Sequence, residues 1–185
     1  TRKPPMRRPL DFTDFDAVAA DADRLLSGGY TRSALVVGHE SPHAAAGAGY
    51  TVTDASVAAF DLASGRLIWR VPAPGVLPQY GTASSPLIDG TSVIAHVGGE
   101  ENGALTSFDA ATGKPRWQWN GDGPGSGSPI IATFGGVRQV IAQTQKLLVG
   151  LDASTGALLW QMPFTTEFDQ NAFTPVVFQD LVIIG

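Results

Sequence analysis

The chain has 185 residues, a formal net charge of −5, and 43% hydrophobic against 16% charged residues. This balance excludes a disordered or fibrous chain, and the acidic charge argues against nucleic acid, which requires a clustered basic surface. The absence of cysteine excludes disulfides and thiolate metal sites, and no run approaches the ~18 apolar residues of a membrane span.

The first 32 residues differ in pattern from the rest of the chain. Basic residues alternate with prolines over positions 2–9, which predicts a solvated terminal arm. Apolar residues then recur at helical spacing over positions 15–26, preceded by a capping residue at Thr13 and followed by Gly28-Gly29. Residues 1–32 are therefore predicted to form an arm and a short amphipathic helix.

The segment His39-Glu40-Ser41-Pro42-His43 matches the H-E-x-x-H pattern of zinc peptidases. That chemistry requires both histidines on one face of a helix, and Pro42 disfavours the helical conformation at Ser41. We expect a loop with two exposed histidines. The alternative, a zinc peptidase, predicts stoichiometric zinc that is lost in His39→Ala.

A repeat begins after this segment, with Asp, Gly four residues later, and Trp eight residues later. Its copies start 48 and then 43 residues apart. Asp and Ser/Thr side chains hold tight turns, and Gly supplies the positive φ that such turns need, so each copy predicts a hairpin corner followed by a buried Trp. The three copies are Asp61, Gly65 and Trp69; Asp109, Gly113 and Trp117; and Asp152, Gly156 and Trp160.

A second pattern, Ser/Thr-Pro, alternates with the first, at Ser85-Pro86, Ser128-Pro129 and Thr174-Pro175. Proline after Ser or Thr can begin a strand, where its missing N–H does no harm. Four strand-like segments fall within each period, which is the size of a propeller blade. In the clearest unit they are Ser126–Thr133, Val137–Gln143, Lys146–Asp152 and Ala157–Met162.

These patterns predict an all-β chain, a partial β-propeller of four-stranded antiparallel blades with a short N-terminal helix. Residues 33–185 are predicted to hold two complete blades, Ala83–Trp119 and Ser126–Met162, with parts of two more around them. Since closed propellers have four to eight blades, we expect both ends to be cut and the remaining blades to belong to the intact protein.

The Asp-x-x-(Ser/Thr)-Gly-x-x-x-Trp repeat resembles the blade motif of pyrroloquinoline-quinone (PQQ)-like propellers, over about 33–185. That superfamily includes quinoprotein alcohol dehydrogenases and cofactor-free relatives such as the outer-membrane assembly lipoprotein. The resemblance implies Trp packing between neighbouring blades and a periplasmic or secreted bacterial protein. It does not by itself imply PQQ, and the adjacent cysteine pair of the dehydrogenases is missing.

Blade topology indicates where ligands would bind. The Asp-Gly corners share one face with the first turns of the blades, so the second-to-third loops and the links between blades share the other. On that face we expect the candidate binding residues. They are Tyr80, His96, Glu100, Asn102, Gln143, Lys146, Asp169, Gln170 and Asn171, with Glu101, Asp122 and Gln145 beside them.

Two functions remain open for this face. The first is a non-catalytic scaffold that binds a protein, peptide or small molecule, supported by clean repeats without a convergent catalytic motif. The second is a quinoprotein dehydrogenase, in which Glu100–Asn102 and Asp169–Asn171 would supply oxygen ligands for Ca²⁺ beside PQQ. Hydrogen-bonded loop structure is the expectation for both segments, and a structural role for His96, so no catalytic residue or metal site is assigned.

Overall fold

The computed structural model describes residues 43–45, 48–52, 56–61, 64–72, 84–100, 102–167 and 171–185. These residues form fourteen strands. The first eight are β1 (His43–Ala45), β2 (Ala48–Val52), β3 (Ser56–Asp61), β4 (Leu67–Pro72), β5 (Leu87–Asp89), β6 (Ser92–Val97), β7 (Ala104–Asp109) and β8 (Pro115–Trp119). The other six are β9 (Ile130–Phe134), β10 (Val137–Gln143), β11 (Leu147–Asp152), β12 (Leu158–Pro163), β13 (Val176–Phe178) and β14 (Leu181–Ile183).

The strands form three four-stranded antiparallel sheets in chain order: sheet 1 (β1–β4), sheet 2 (β5–β8) and sheet 3 (β9–β12). The C-terminal hairpin, β13–β14, forms a two-stranded sheet. The first strands converge, since β1 contacts β5 and β5 contacts β9. This arrangement is the blade pattern of a partial β-propeller, and the all-β prediction is confirmed.

Sheet 1 differs from the sequence-based expectation of an incomplete blade. Its first hairpin pairs His43 with Tyr50 and Ala45 with Ala48, so His43 lies in a strand instead of the expected loop. Alanine and glycine, which dominate this hairpin, are poor strand formers and gave no strand signal. The strand geometry at His43 is also incompatible with a helical H-E-x-x-H site. The predicted arm, helix, boundary at residue 32, and His39 lie outside the described residues.

Apolar side chains fill the spaces between the sheets. Alternate residues of β6 face opposite ways, so Val93 packs against sheet 1 and Ile94 packs against sheet 3. Trp69 lies in the first of these cores and Trp117 in the second, 9% and 8% exposed. Full burial of a Val, Leu or Ile contributes about 1.5–3 kcal/mol, so the interfaces between sheets are the main source of stability.

Each Asp-Gly corner is closed by its own side chains, as predicted. In sheet 2, Asp109 Oδ1 accepts hydrogen bonds from the Thr112 N–H (2.9 Å) and the Thr112 hydroxyl (2.8 Å). The Gly113 N–H donates to the Asp109 carbonyl at φ +70°. Hydrogen bonds from Arg116 and Thr112 lower the pKa of Asp109 to about 2. The corner therefore keeps its shape over the whole physiological pH range.

The repeat tryptophans of sheets 1 and 2 join neighbouring sheets. The Trp69 indole N–H donates to the Ala110 carbonyl (2.9 Å), and the Trp117 indole donates to the Ala153 carbonyl (3.0 Å). In each case the acceptor follows the corner Asp of the next sheet, and the ring covers the corner glycine. A Cβ on Gly156 would lie 2.6 Å from the Trp117 ring. The Trp of one sheet and the corner of the next sheet therefore form one contact between sheets, which we call a joint.

The Ser/Thr-Pro pattern forms a second joint, which the sequence did not reveal. The Ser85 N–H donates to the Ser128 hydroxyl (2.8 Å), and the Ser128 N–H donates to the Thr174 hydroxyl (3.0 Å). Each hydroxyl thus accepts from the equivalent residue of the preceding sheet. The proline immediately precedes a strand (β5, β9 or β13) instead of being its first residue, and the residue before the proline forms the hydrogen bond between sheets.

Gln179→Gly is expected to stabilise the C-terminal hairpin. Gln179 has φ +54°, in the left-handed region, at the turn position that Gly90 occupies in sheet 2 with φ +58°. Since that conformation costs a residue with a Cβ about 1 kcal/mol, β13–β14 amides should exchange roughly fivefold more slowly in the variant. The reciprocal Gly90→Gln should accelerate exchange in β5–β6. Unchanged exchange in both variants would contradict the assignment.

Candidate functional site

The two faces predicted from blade topology are confirmed by hydrogen bonds. On one face the Ala110 N–H donates to the Thr91 carbonyl, which joins the corner of sheet 2 to its first turn. On the other, the Gln145 N–H donates to the Gly123 carbonyl (3.0 Å). We call this second side the long-loop face. In the described residues it comprises the loops at 98–103 and 144–146 and the links at 120–129 and 164–175.

Asp122 joins the link that leaves sheet 2 to the loop of sheet 3. Its Oδ2 accepts hydrogen bonds from the Thr144 hydroxyl (2.6 Å) and the Lys146 N–H (2.7 Å). Gln145, which lies between Thr144 and Lys146, donates its N–H to the Gly123 carbonyl. The carboxylate therefore fixes the position of the 144–146 loop.

Asn171 holds the same loop from the other side. Its side chain is fully buried, and its Nδ2 donates to the carbonyls of Thr144 (2.8 Å), Gln145 (3.2 Å) and Phe164 (2.8 Å). The Thr166 hydroxyl donates to its Oδ1 (3.2 Å). Asn171 thus serves loop structure, the role that the sequence analysis expected for this segment.

Asn171→Ala is expected to lower the free energy of unfolding by about 2 kcal/mol, because one buried and two partly buried carbonyls lose their donor. Urea unfolding followed by circular dichroism measures this loss. Asn102→Ala is the matched control, since Asn102 is exposed and its Oδ1 accepts one bond among the described residues, from the Gly99 N–H (3.1 Å). Equal losses in the two variants would contradict the role of Asn171.

His96 and Gln143 occupy equivalent positions in sheets 2 and 3. Each lies four residues beyond the residue that pairs with the corner Asp, since Ser92 pairs with Asp109 and Gln139 pairs with Asp152. Both side chains are buried, 5% and 1% exposed. The His96 Nε2 and both polar atoms of the Gln143 amide have no hydrogen-bond partner within the described part of the chain. The C-terminal ends of β6 and β10 therefore carry buried polar groups without a partner among the described residues.

Burial sets the protonation state of His96. Loss of solvent lowers the pKa of its imidazole to about 4, and a hydrogen bond with the Asp122 backbone and the Asp122 charge offset this only in part. His96 is therefore neutral at physiological pH. Its side chain is buried beneath the long-loop face.

The structure brings together only some of the predicted site residues. Gln143, Lys146 and Asn171 gather at the 144–146 loop with Asp122. Glu100 and Asn102 lie on the adjacent loop, against Gly123, where a Cβ would lie 2.8 Å from the Glu100 Cα. Lys146 and Asn102 are exposed. Tyr80, Glu101, Asp169 and Gln170 lie outside the described residues.

The predicted Ca²⁺ ligands are only partly described, because Glu101, Asp169 and Gln170 lie outside the described residues. In the ranges that the structure describes, no three His, Asp or Glu side chains come close enough to hold a metal ion. The Asp122 carboxylate is bonded to Thr144 and Lys146, and the Asn171 amide is used by loop carbonyls.

Within the described ranges, no helix has the length and hydropathy needed to cross a bilayer. Among curated proteins, no relative matches the chain at a significant level.

Two solved structures show the same fold. BamB from Moraxella catarrhalis aligns with 71% of this chain and 41% of its own, at 21% identity and a TM-score of 0.54. The quinohemoprotein alcohol dehydrogenase from Comamonas testosteroni aligns with 66% of this chain and 27% of its own, at 18% identity and a TM-score of 0.51. The chain thus spans less than half the length of either protein.

A family model described as outer membrane protein assembly factor BamB matches residues 17–185. This range includes all three corner-and-Trp repeats and all fourteen strands described above. The chain therefore belongs to this family of PQQ-like β-propellers.

Proposed function

We propose that the chain is a non-catalytic binding and scaffold module, whose long-loop face binds a protein partner in the periplasm or outside the cell. The observation that carries this proposal is the set of hydrogen bonds that Asp122 and Asn171 make to the 144–146 loop. Both are committed to bonds that hold the 144–146 loop. A pre-ordered surface of this kind loses little conformational entropy on binding. The description of the family as an outer membrane assembly factor supports a protein as the ligand.

The contact surface in this proposal is made of exposed residues at the tips of the ordered loops. Lys146 and Asn102 are exposed, and Gln145 is half-buried between them and the link. Polar residues on a rigid scaffold are the usual means of partner recognition. The buried groups beneath them would position the loops without touching the partner.

Site-specific photo-crosslinking in the full-length protein tests the proposal. A photoreactive amino acid at Lys146 is expected to give a discrete protein adduct in cells. The matched control is Lys114, which is exposed beside the corner of sheet 2, on the opposite face. Adducts at position 114 but not at 146 would overturn the choice of face.

Cofactor binding tests the proposal that the protein is not a quinoprotein enzyme. We expect the purified full-length protein neither to retain PQQ in equilibrium dialysis with Ca²⁺ nor to reduce a dye with an alcohol. Stoichiometric PQQ together with alcohol-dependent dye reduction would establish the quinoprotein alternative. In that case Asp169→Asn is the first substitution to test, and unchanged turnover and metal content would exclude Asp169 as the base.

A further inference from the structure

Two asparagines on the long-loop face are followed directly by glycine, in Asn102-Gly103 and Asn120-Gly121. Glycine has no side chain to shield its main-chain nitrogen, so this nitrogen can reach the side-chain carbonyl carbon of the preceding asparagine. The asparagine then loses its amide and becomes aspartate or isoaspartate. Because the reaction needs both groups to move freely, the hydrogen bonds around each pair decide which pair reacts.

Both reacting groups of the Asn102 pair are held by one residue. The Asn102 Oδ1 accepts a hydrogen bond from the Gly99 N–H (3.1 Å), and the Gly103 N–H donates to the Gly99 carbonyl (2.7 Å). Gly103 is also buried. Attack of the Gly103 nitrogen on Asn102 would therefore require the whole turn to open first.

The Asn120 pair is not held in this way. Both residues are exposed, and no described residue forms a hydrogen bond with the Asn120 side chain or with the Gly121 N–H. At the equivalent position of sheet 3, four residues after the repeat Trp, the Phe164 N–H donates to the Lys146 carbonyl (2.9 Å) and extends the ladder beyond β12. The corresponding ladder in sheet 2 ends with β8, which leaves the Gly121 nitrogen available as a nucleophile.

We propose that Asn120 is a site of spontaneous modification in the folded protein, and that its conversion to isoaspartate loosens the 144–146 loop. The Gly121 nitrogen forms a bond to the Asn120 Cγ, the Cγ–Nδ2 bond breaks, and the amide leaves as ammonia with the Gly121 proton. Water then opens the resulting succinimide ring at either carbonyl, which gives aspartate or isoaspartate. This inference does not depend on what binds to the long-loop face.

The link around Asn120 has little room for a longer main chain. On one side the Trp119 ring lies against Gly121, so closely that a Cβ there would be 2.4 Å from the ring. On the other side Asp122 is bonded to the 144–146 loop. Isoaspartate inserts one carbon atom into the main chain between these two contacts. The added length displaces Asp122 from the loop, which then loses its carboxylate acceptor.

Incubation of the full-length protein at mildly alkaline pH, followed by tryptic digestion and mass spectrometry, tests the site. The expected peptides, 71–116 and 117–138, each contain one of the two asparagines. In the folded protein Asn120 should convert at least tenfold faster than Asn102, because two hydrogen bonds protect the Asn102 pair. In urea the two rates should become similar. Methylation by a protein isoaspartyl methyltransferase identifies the isoaspartate. Equal rates in the folded protein, or faster conversion at Asn102, would overturn the assignment.

Amide exchange at Lys146 tests the effect on the loop, because this N–H donates to Asp122 Oδ2 (2.7 Å). Exchange should become about tenfold faster in the isoaspartate form, which is separated from unreacted protein by ion exchange. Asn120→Gln, which cannot form the five-membered ring, should keep the slow rate after the same incubation. Asn120→Asp adds the charge without the extra carbon and should also exchange slowly when freshly purified. Unchanged Lys146 exchange in the isoaspartate form, or equally fast exchange in Asn120→Asp, would refute the role of chain length.

Discussion

Trp117→Ala is expected to lower the free energy of unfolding by about 3–5 kcal/mol, the usual loss for a large buried aromatic residue. The indole is 8% exposed, lies in the core between sheets 2 and 3, and donates to the Ala153 carbonyl. The substitution removes apolar contact and leaves that carbonyl without its donor. Because the joint connects two sheets, denaturant unfolding should also lose cooperativity.

Trp160→Ala is the matched control. Its ring is half-buried and bonded within its own sheet, so the loss should be clearly smaller than that of Trp117→Ala. Gly156→Val should reproduce much of the Trp117→Ala effect from the other side of the joint, and the double variant should be less than additive. Full additivity would show that Trp117 and Gly156 do not form one unit.

The second large effect is a loss of stability in mild acid through His96. Burial holds its pKa at about 4, whereas the unfolded chain has the ordinary value of 6.5. The unfolded state therefore binds the extra proton between pH 6.5 and pH 4, and stability falls as the pH falls through that range. The loss of unfolding free energy approaches about 3 kcal/mol near pH 4. Above pH 6.5 His96 is neutral in both states, and the loss disappears.

His96→Gln isolates this contribution, since glutamine is the residue at the equivalent position of sheet 3. Unfolding free energies of both proteins are measured from pH 4 to pH 8, and their difference removes the carboxylate titrations that they share. The variant should lack the His96-dependent slope between pH 6.5 and pH 4. Parallel curves over the whole range would show that His96 titrates normally in the folded protein.

Local patterns were sufficient to predict the corners and most of the strands. Asp109, Thr112 and Gly113 close their turn through contacts within four residues, so their spacing alone specifies it. The hairpin at 43–52 was missed because alanine and glycine lack the β-branched or aromatic residues that mark strands. Its pairing depends on the sheet that it joins.

The candidate site was predicted at the level of a face, not of individual roles. Asn171 donates to residues 26 and 27 positions earlier, and Asp122 accepts from residues 22 and 24 positions later. Composition and spacing carry no information on such pairings, so structural and ligand-binding residues could not be separated. The hydroxyls of Ser128 and Thr174 were missed for the same reason, since their partners lie one blade away.

The hydroxyl joint of Ser85, Ser128 and Thr174 has a consequence for how this fold can change in evolution. Every contact in it connects one sheet with the next, and the same residue type acts on both sides. A duplicated unit of about 45 residues, inserted between two sheets, would find a donor before it and an acceptor after it. At this hydroxyl joint, a change in blade number by gene duplication thus requires no compensating substitution.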